Sequence, residues 1–158
     1  MELSSVLRYM LYDCKENFVS LTKEVEHLKN FTQLNELQIE ERGTVTYQTE
    51  NIGTGYRIAP LILTVFVENA FKHSTASQSE DIAIDISIEV TDKGTLQFEC
   101  LNSFRPTTNT NDLSNGIGLA NVKKCLEIIY PNAHELNISE TETLYSVKLE
   151  IQLKQETK

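Results

Sequence analysis

Ten consecutive residues, Ile82 to Thr91, alternate without a break: Ile82, Ile84, Ile86, Ile88 and Val90 stand against Ala83, Asp85, Ser87, Glu89 and Thr91. A period of two is that of a strand with one dry face and one wet face. Asp92-Lys93-Gly94 supplies a turn, and Leu96, Phe98 and Cys100 continue the pattern on a return strand, so the segment reads as a hairpin. Strands of this kind need cover on their apolar side only. That restricts the chain to a sheet with helices packed on one face, if helices are present in sufficient number.

They are. Leu3 to Tyr12 carries Leu3, Val6, Leu7, Met10 and Leu11 on one stripe, and begins without an N-cap, as a helix entered partway would. Residues 21–42 form a longer helical pattern. Leu21, Val25, Leu28, Phe31 and Leu34 recur at helical spacing, Glu24, Glu26, Lys29, Glu36 and Glu40 are wet, and Gly43 is the stop. Thr44 to Thr49 reads as a strand, Gly53 and Gly55 as a loop, and Pro60 as the first turn of a helix to about His73. Residues 104–115 are polar and aperiodic. Gly116 to Tyr130 is a helix ended by Pro131, and Leu136 to Ser139 pairs with Leu144 to Leu153 in a final hairpin. The expectation is an α/β two-layer sandwich. About five strands form a mixed, largely antiparallel sheet, covered on one face by about three helices.

The 158 residues suffice for one domain with a core. A net charge of −9 excludes a broad nucleic-acid surface, though not a local phosphate site built from a few cations and backbone N–H groups. No stretch approaches the ~18 apolar residues of a membrane span, and Met1 does not open a signal peptide. Cys14, Cys100 and Cys125 lack ligand spacing and read as reduced thiols.

Three polar features do not fit a plain sandwich. The helix from Pro60 is apolar nearly all round until Glu68, Asn69, Lys72 and His73, which fall within an arc of about 140°. Such a set is either a helix end emerging into water or the wall of a polar pocket. Asn102 shares the parity of Leu96, Phe98 and Cys100, so its carboxamide should point to the core side, where it satisfies loop backbone or meets a ligand. Finally, Asn115-Gly116-Ile117-Gly118-Leu119 stands directly ahead of a helix. Its glycines allow close backbone approach, and the helix start favours phosphate. No Walker lysine follows, and no strand precedes it, so it is neither a P-loop nor a Rossmann turn.

The run Glu68-Asn69-Ala70-Phe71-Lys72-His73 resembles the N-box of Bergerat-fold (GHKL, HATPase) ATPases, and Gly116-Ile117-Gly118-Leu119-Ala120-Asn121-Val122 resembles their G2 box. The second run, its following helix and Tyr130-Pro131 are similar to LytS/YehU-like sensor histidine kinases, as is Leu3-Ser4-Ser5-Val6-Leu7-Arg8-Tyr9. The resemblance covers nearly the whole chain. It implies that residues 1–18 end a dimerising phosphoacceptor helical region, 19–43 form a connecting helix, and 44–158 form the ATP-binding domain with a lid at 104–115. It implies that Asn69 holds Mg²⁺ and that Lys72 neutralises phosphate charge. His73 would flank the nucleotide. Glu68 would orient water around Mg²⁺ or assist proton removal from the acceptor imidazole. Gly116, Ile117, Gly118 and Leu119 would bind ATP, and Asn102 would accept the adenine amino group. Lys123 and Lys124 read as solvated helix cations.

Two departures stand out. The family's DxGxG box is replaced by Asn102-Ser103-Phe104, a neutral acceptor without the glycines. Asn102→Asp is therefore expected to strengthen adenine binding by charge assistance. Val65 stands where orthodox kinases carry a further Asn, as in the LytS-like branch. None of His27, His73 and His134 has the acceptor context, so the resemblance places the phosphorylated histidine upstream of this chain. It further implies phosphotransfer to a response regulator, of the LytTR type. A homodimer in the cytoplasmic portion of a membrane-anchored bacterial sensor is implied as well. As a fragment, the chain is expected to dimerise weakly through the stripe on residues 3–11. Two other readings remain open here: an anti-sigma-factor-kinase-like ATPase, and a non-catalytic interaction module with weak or lost nucleotide binding.

Overall fold

The computed structural model describes residues 18–77, 80–104 and 117–155, with the side chains of 76, 77, 117 and 118 excepted. The expected helix at Leu3–Tyr12, Cys14, Gly116 and the lid after Phe104 lie outside the described residues. In chain order the elements are β1 (Val19–Ser20), α1 (Leu21–Ile39), a 3-10 turn (Glu40–Arg42), β2 (Gly43–Glu50), β3 (Tyr56–Ile58) and α2 (Ile62–Ser77). Then follow β4 (Ile82–Val90), β5 (Thr95–Ser103), α3 (Ile117–Ile129), β6 (His134–Glu140), β7 (Leu144–Gln152) and β8 (Lys154–Gln155).

The main sheet has five strands in the order β2-β4-β5-β7-β6. β2 runs parallel to β4, and every other pairing is antiparallel. The alternation seen in sequence is obeyed: Ile82, Ile84, Ile86, Ile88 and Val90 are buried, while Ala83, Asp85 and Glu89 are exposed. The helices lie on the buried face, with α2 against β4 and β5, α1 against β2 and α2, and α3 against α2. This is the two-layer sandwich expected. Phe66 of α2 and Phe98 of β5 meet at its centre, ring centroids 6.1 Å apart. A second, small sheet of three short strands, β1-β3-β8, was not visible in the sequence.

Ser20 caps α1, its hydroxyl accepting from the Lys23 N–H at 3.4 Å. The buried residues of α1 are Leu21, Leu28, Thr32 and Ile39, and Leu34 is 63% exposed. Leu34 was expected on the inner stripe. A helix advances 3.6 residues per turn, so spacings of three carry a stripe off the core within a few turns, and Thr32 and Ile39 take over. Gly43 also has a different reason from the one its position suggested. Its backbone is extended, and a Cβ there would lie 2.1 Å from the Ile82 carbonyl oxygen. The parallel pairing of β2 with β4, which aligns Gly43 with Ile82, requires a residue without a side chain.

Two ties fix the helices to one another. The Glu24 carboxylate of α1 accepts from the Leu61 N–H at 2.8 Å, just ahead of α2. The Tyr130 hydroxyl, at the end of α3, accepts from the Ala59 N–H at 3.0 Å. The second tie holds the segment that leads into α2 beside the end of α3, and the two helices pack against each other.

Candidate functional site

The four polar residues of α2 do not form one wall. Glu68 and Lys72, one turn apart, line a cleft of about 340 Å³ between α1 and α2, together with Asn35, Gln38, Ile39, Arg42, Phe71 and Thr75. Lys72 is exposed and Glu68 half-buried there. His73 points the other way, toward the sheet, and is 4% exposed. Asn69, on the same stripe as His73 one turn earlier, is half-buried between the two sides.

The sheet side is dry and neutral. The His73 imidazole stacks on the Tyr145 ring of β7, centroids 4.8 Å apart and planes 16° apart. Burial pushes the imidazole below its ordinary pKa, against the raising effect of Glu140, which favours a neutral ring. Burial likewise raises the Tyr145 phenol. Tyr145 is the register partner of Asn102, which is 1% exposed and faces the core as its parity required.

Asn102 Nδ2 donates to the Ser103 carbonyl at 3.1 Å and toward Ser74 Oγ at 3.4 Å. The Ser74 hydroxyl, fully buried, donates to the same Ser103 carbonyl. Asn102 Oδ1 is buried and has no hydrogen-bond partner among the described residues. A buried acceptor left unpaired costs roughly 1–3 kcal/mol.

Ser74 and Tyr145 were not singled out from sequence. Ser74 directly follows the N-box run, and Tyr145 has the inward parity of its strand, but neither signal separates them from ordinary core positions. Of the glycine-rich run, Gly116 is outside the described residues and Ile117-Gly118 open α3. Leu119 is 8% exposed and belongs to the core. Phe104, first residue of the expected lid, is also buried, its N–H donating to the Thr143 carbonyl at 3.0 Å. Lys123 and Lys124 are exposed. His27 is exposed on α1, and His134 Nδ1 lies 2.8 Å from the Tyr130 carbonyl, a structural contact. Cys100 is buried, its thiol pushed up to about 12, and chemically inert at neutral pH. No cluster of three or more metal-binding side chains occurs among the described residues. No helix among the described residues is long and apolar enough to cross a membrane.

Residues 1–43 match the family model described as histidine kinase. The sensor protein LytS of Staphylococcus epidermidis is 25% identical over 152 residues, covering 90% of this chain and 26% of that protein. The chain thus spans about a quarter of that relative's length. Among solved structures, the catalytic domain of histidine kinase ThkA matches with a TM-score of 0.64 at 14% identity, covering 89% of this chain and 99% of that one. Histidine kinase ThkA in complex with the response regulator protein TrrA matches with a TM-score of 0.64 at 15% identity, covering 96% of this chain and 47% of that one. The fold is that of histidine-kinase catalytic domains. The chain is thus similar to a LytS sensor protein along nine-tenths of its sequence, and it shares the architecture of histidine-kinase catalytic domains.

Proposed function

We propose that this chain is the ATP-binding catalytic domain of a two-component sensor histidine kinase, passing the γ-phosphoryl group of ATP to a histidine outside residues 1–158. The observation that carries the reading is the unpaired, buried Asn102 Oδ1. It sits beside Ser74, on the helix that bears Asn69 and Lys72.

Asn102 receives the adenine amino group, and the stacked His73 and Tyr145 wall that end. Asn69 contributes its side-chain oxygen to Mg²⁺, and Lys72 supplies positive charge to the phosphates. Bound Mg²⁺ supplies charge neutralisation and in-line alignment for the transfer. The first N–H groups of α3, with Gly116 and Gly118, complete the phosphate cradle. Glu68 stands one turn before Lys72 in the cleft, where it orients water or accepts the proton of the incoming imidazole. The phosphoryl group then moves to an aspartate of a response regulator, of the LytTR type. ThkA, which shares the fold, has been solved in complex with the response regulator protein TrrA. In the whole protein this unit is the cytoplasmic part of a membrane-anchored homodimer, fed by its own phosphoacceptor helices.

Calorimetry with ATP and Mg²⁺ tests the reading. The parent chain binds, and Asn69→Ala loses binding while the circular-dichroism melt stays within about 2 °C of the parent. Absence of binding by the parent leaves only the non-catalytic alternative. Adding a separate acceptor-helix fragment then gives acid-labile phosphohistidine, whereas a product stable to acid points to a different ATPase.

A further inference from the structure

We infer that Ser74 is a positioning residue that fixes the polarity of the Asn102 amide and makes this contact select a 6-amino purine over a 6-oxo purine. The inference rests on the reading of the site as an ATP site.

A carboxamide is ambiguous. Turned one way it offers an oxygen to a donor; turned the other way it offers N–H groups to a carbonyl. An unrestrained Asn at the base would therefore accept adenine or a 6-oxo purine by rotating half a turn. The neighbours of Asn102 remove that freedom. The Ser103 carbonyl is an acceptor only, and it lies 3.1 Å from Nδ2. Ser74 Oγ gives its own hydrogen to that same carbonyl, so toward Asn102 it too is an acceptor. Both Nδ2 hydrogens thus have acceptors, and rotating the amide would set Oδ1 against two oxygens. What remains for a ligand is Oδ1, buried and without a partner among the described residues. A 6-amino group fits it; a 6-oxo group in the same place leaves two buried oxygens in apposition, unpaired. An aspartate needs no such arrangement, because a carboxylate has no donor end. The second serine of the triangle matters only because residue 102 is Asn.

The test compares ATP with inosine triphosphate, which differs in carrying a carbonyl where ATP carries the amino group. Each is titrated with Mg²⁺ into residues 1–158. The parent binds ATP about tenfold or more tighter than the inosine analogue. Ser74→Ala leaves the Ser103 carbonyl alone to oppose a turned amide and lowers the ratio by about threefold or more, and Ser74→Thr, which keeps the hydroxyl, restores it. If Ser74→Ala is too unstable to titrate, Ser74→Cys, which fills the space with a weakly hydrogen-bonding thiol, takes its place and lowers the ratio likewise. Equal affinity of the parent for both nucleotides overturns the inference and leaves the ATP site standing. A full ratio in Ser74→Ala overturns the role of Ser74 alone. Failure of the parent to bind either nucleotide overturns the site, and the inference with it.

Discussion

Helix α2 has two sides at its C-terminal half, and they are built by opposite rules. Toward α1, Glu68 and Lys72 are charged, solvent-reached and tied into nothing that the core depends on. Toward the sheet, His73, Ser74 and Asn102 are polar but buried; Ser74 and Asn102 are joined to each other and to backbone, and His73 stacks on Tyr145. The difference teaches how a single helix serves a ligand with two unlike ends. On the proposed reading, a triphosphate would be met by mobile charge that costs little to keep in water. The base would be met by fixed dipoles in a dry place, where each misplaced atom is felt. It follows that variants on the first side should change affinity and leave stability alone, and variants on the second should change both.

The largest effect expected from breaking this contrast is at Lys72. Lys72→Ala should weaken ATP about 10- to 100-fold, the value of a hydrogen bond to a charged group, with the melting temperature moved by under about 2 °C. A fall of many degrees would show that the wet side is structural after all. Next is Asn102→Asp. The carboxylate loses both donations to Ser103 and Ser74 and lies buried without them, so the free protein should melt lower by about 3–6 °C. The amino group of ATP then relieves a charged acceptor, and affinity should rise several-fold. Calorimetry and thermal melts on one sample read both signs.

Smallest is the pH response of the dry side. The folded His73 imidazole titrates below its ordinary value of 6.5. The unfolded chain therefore takes up the proton first as pH falls. The associated stability is whole above about 6.5 and is lost as pH drops from there through the folded value. Urea midpoints at pH 7.5 and 5.5 should differ less in His73→Gln than in the parent, and an unchanged difference would remove His73 from the account.

Much of the architecture could be read from the chain because it rests on local periodicity. The β4–β5 hairpin, the extents of α1 and α3, and the inward aim of Asn102 follow from periods of two and 3.6. What could not be read depends on partners remote in sequence. The arc containing Glu68, Asn69, Lys72 and His73 is real, but its division comes from α1 on one side and β7 on the other. The role of Gly43 is set by Ile82, met only through a parallel pairing that leaves no mark on either strand alone. Ser74 looked like a helix residue of no account because its acceptor, a backbone carbonyl on β5, has no signature in sequence. The strands β1, β3 and β8 are two or three residues long, too short for alternation to show.

The hydroxyl of Tyr130 spans 71 positions of chain to reach the Ala59 N–H. It acts as a rivet between two rods. With that contact in place, neither α2 nor α3 can slide along the other without breaking a buried hydrogen bond. Tyr130→Phe would leave the rods and remove the rivet.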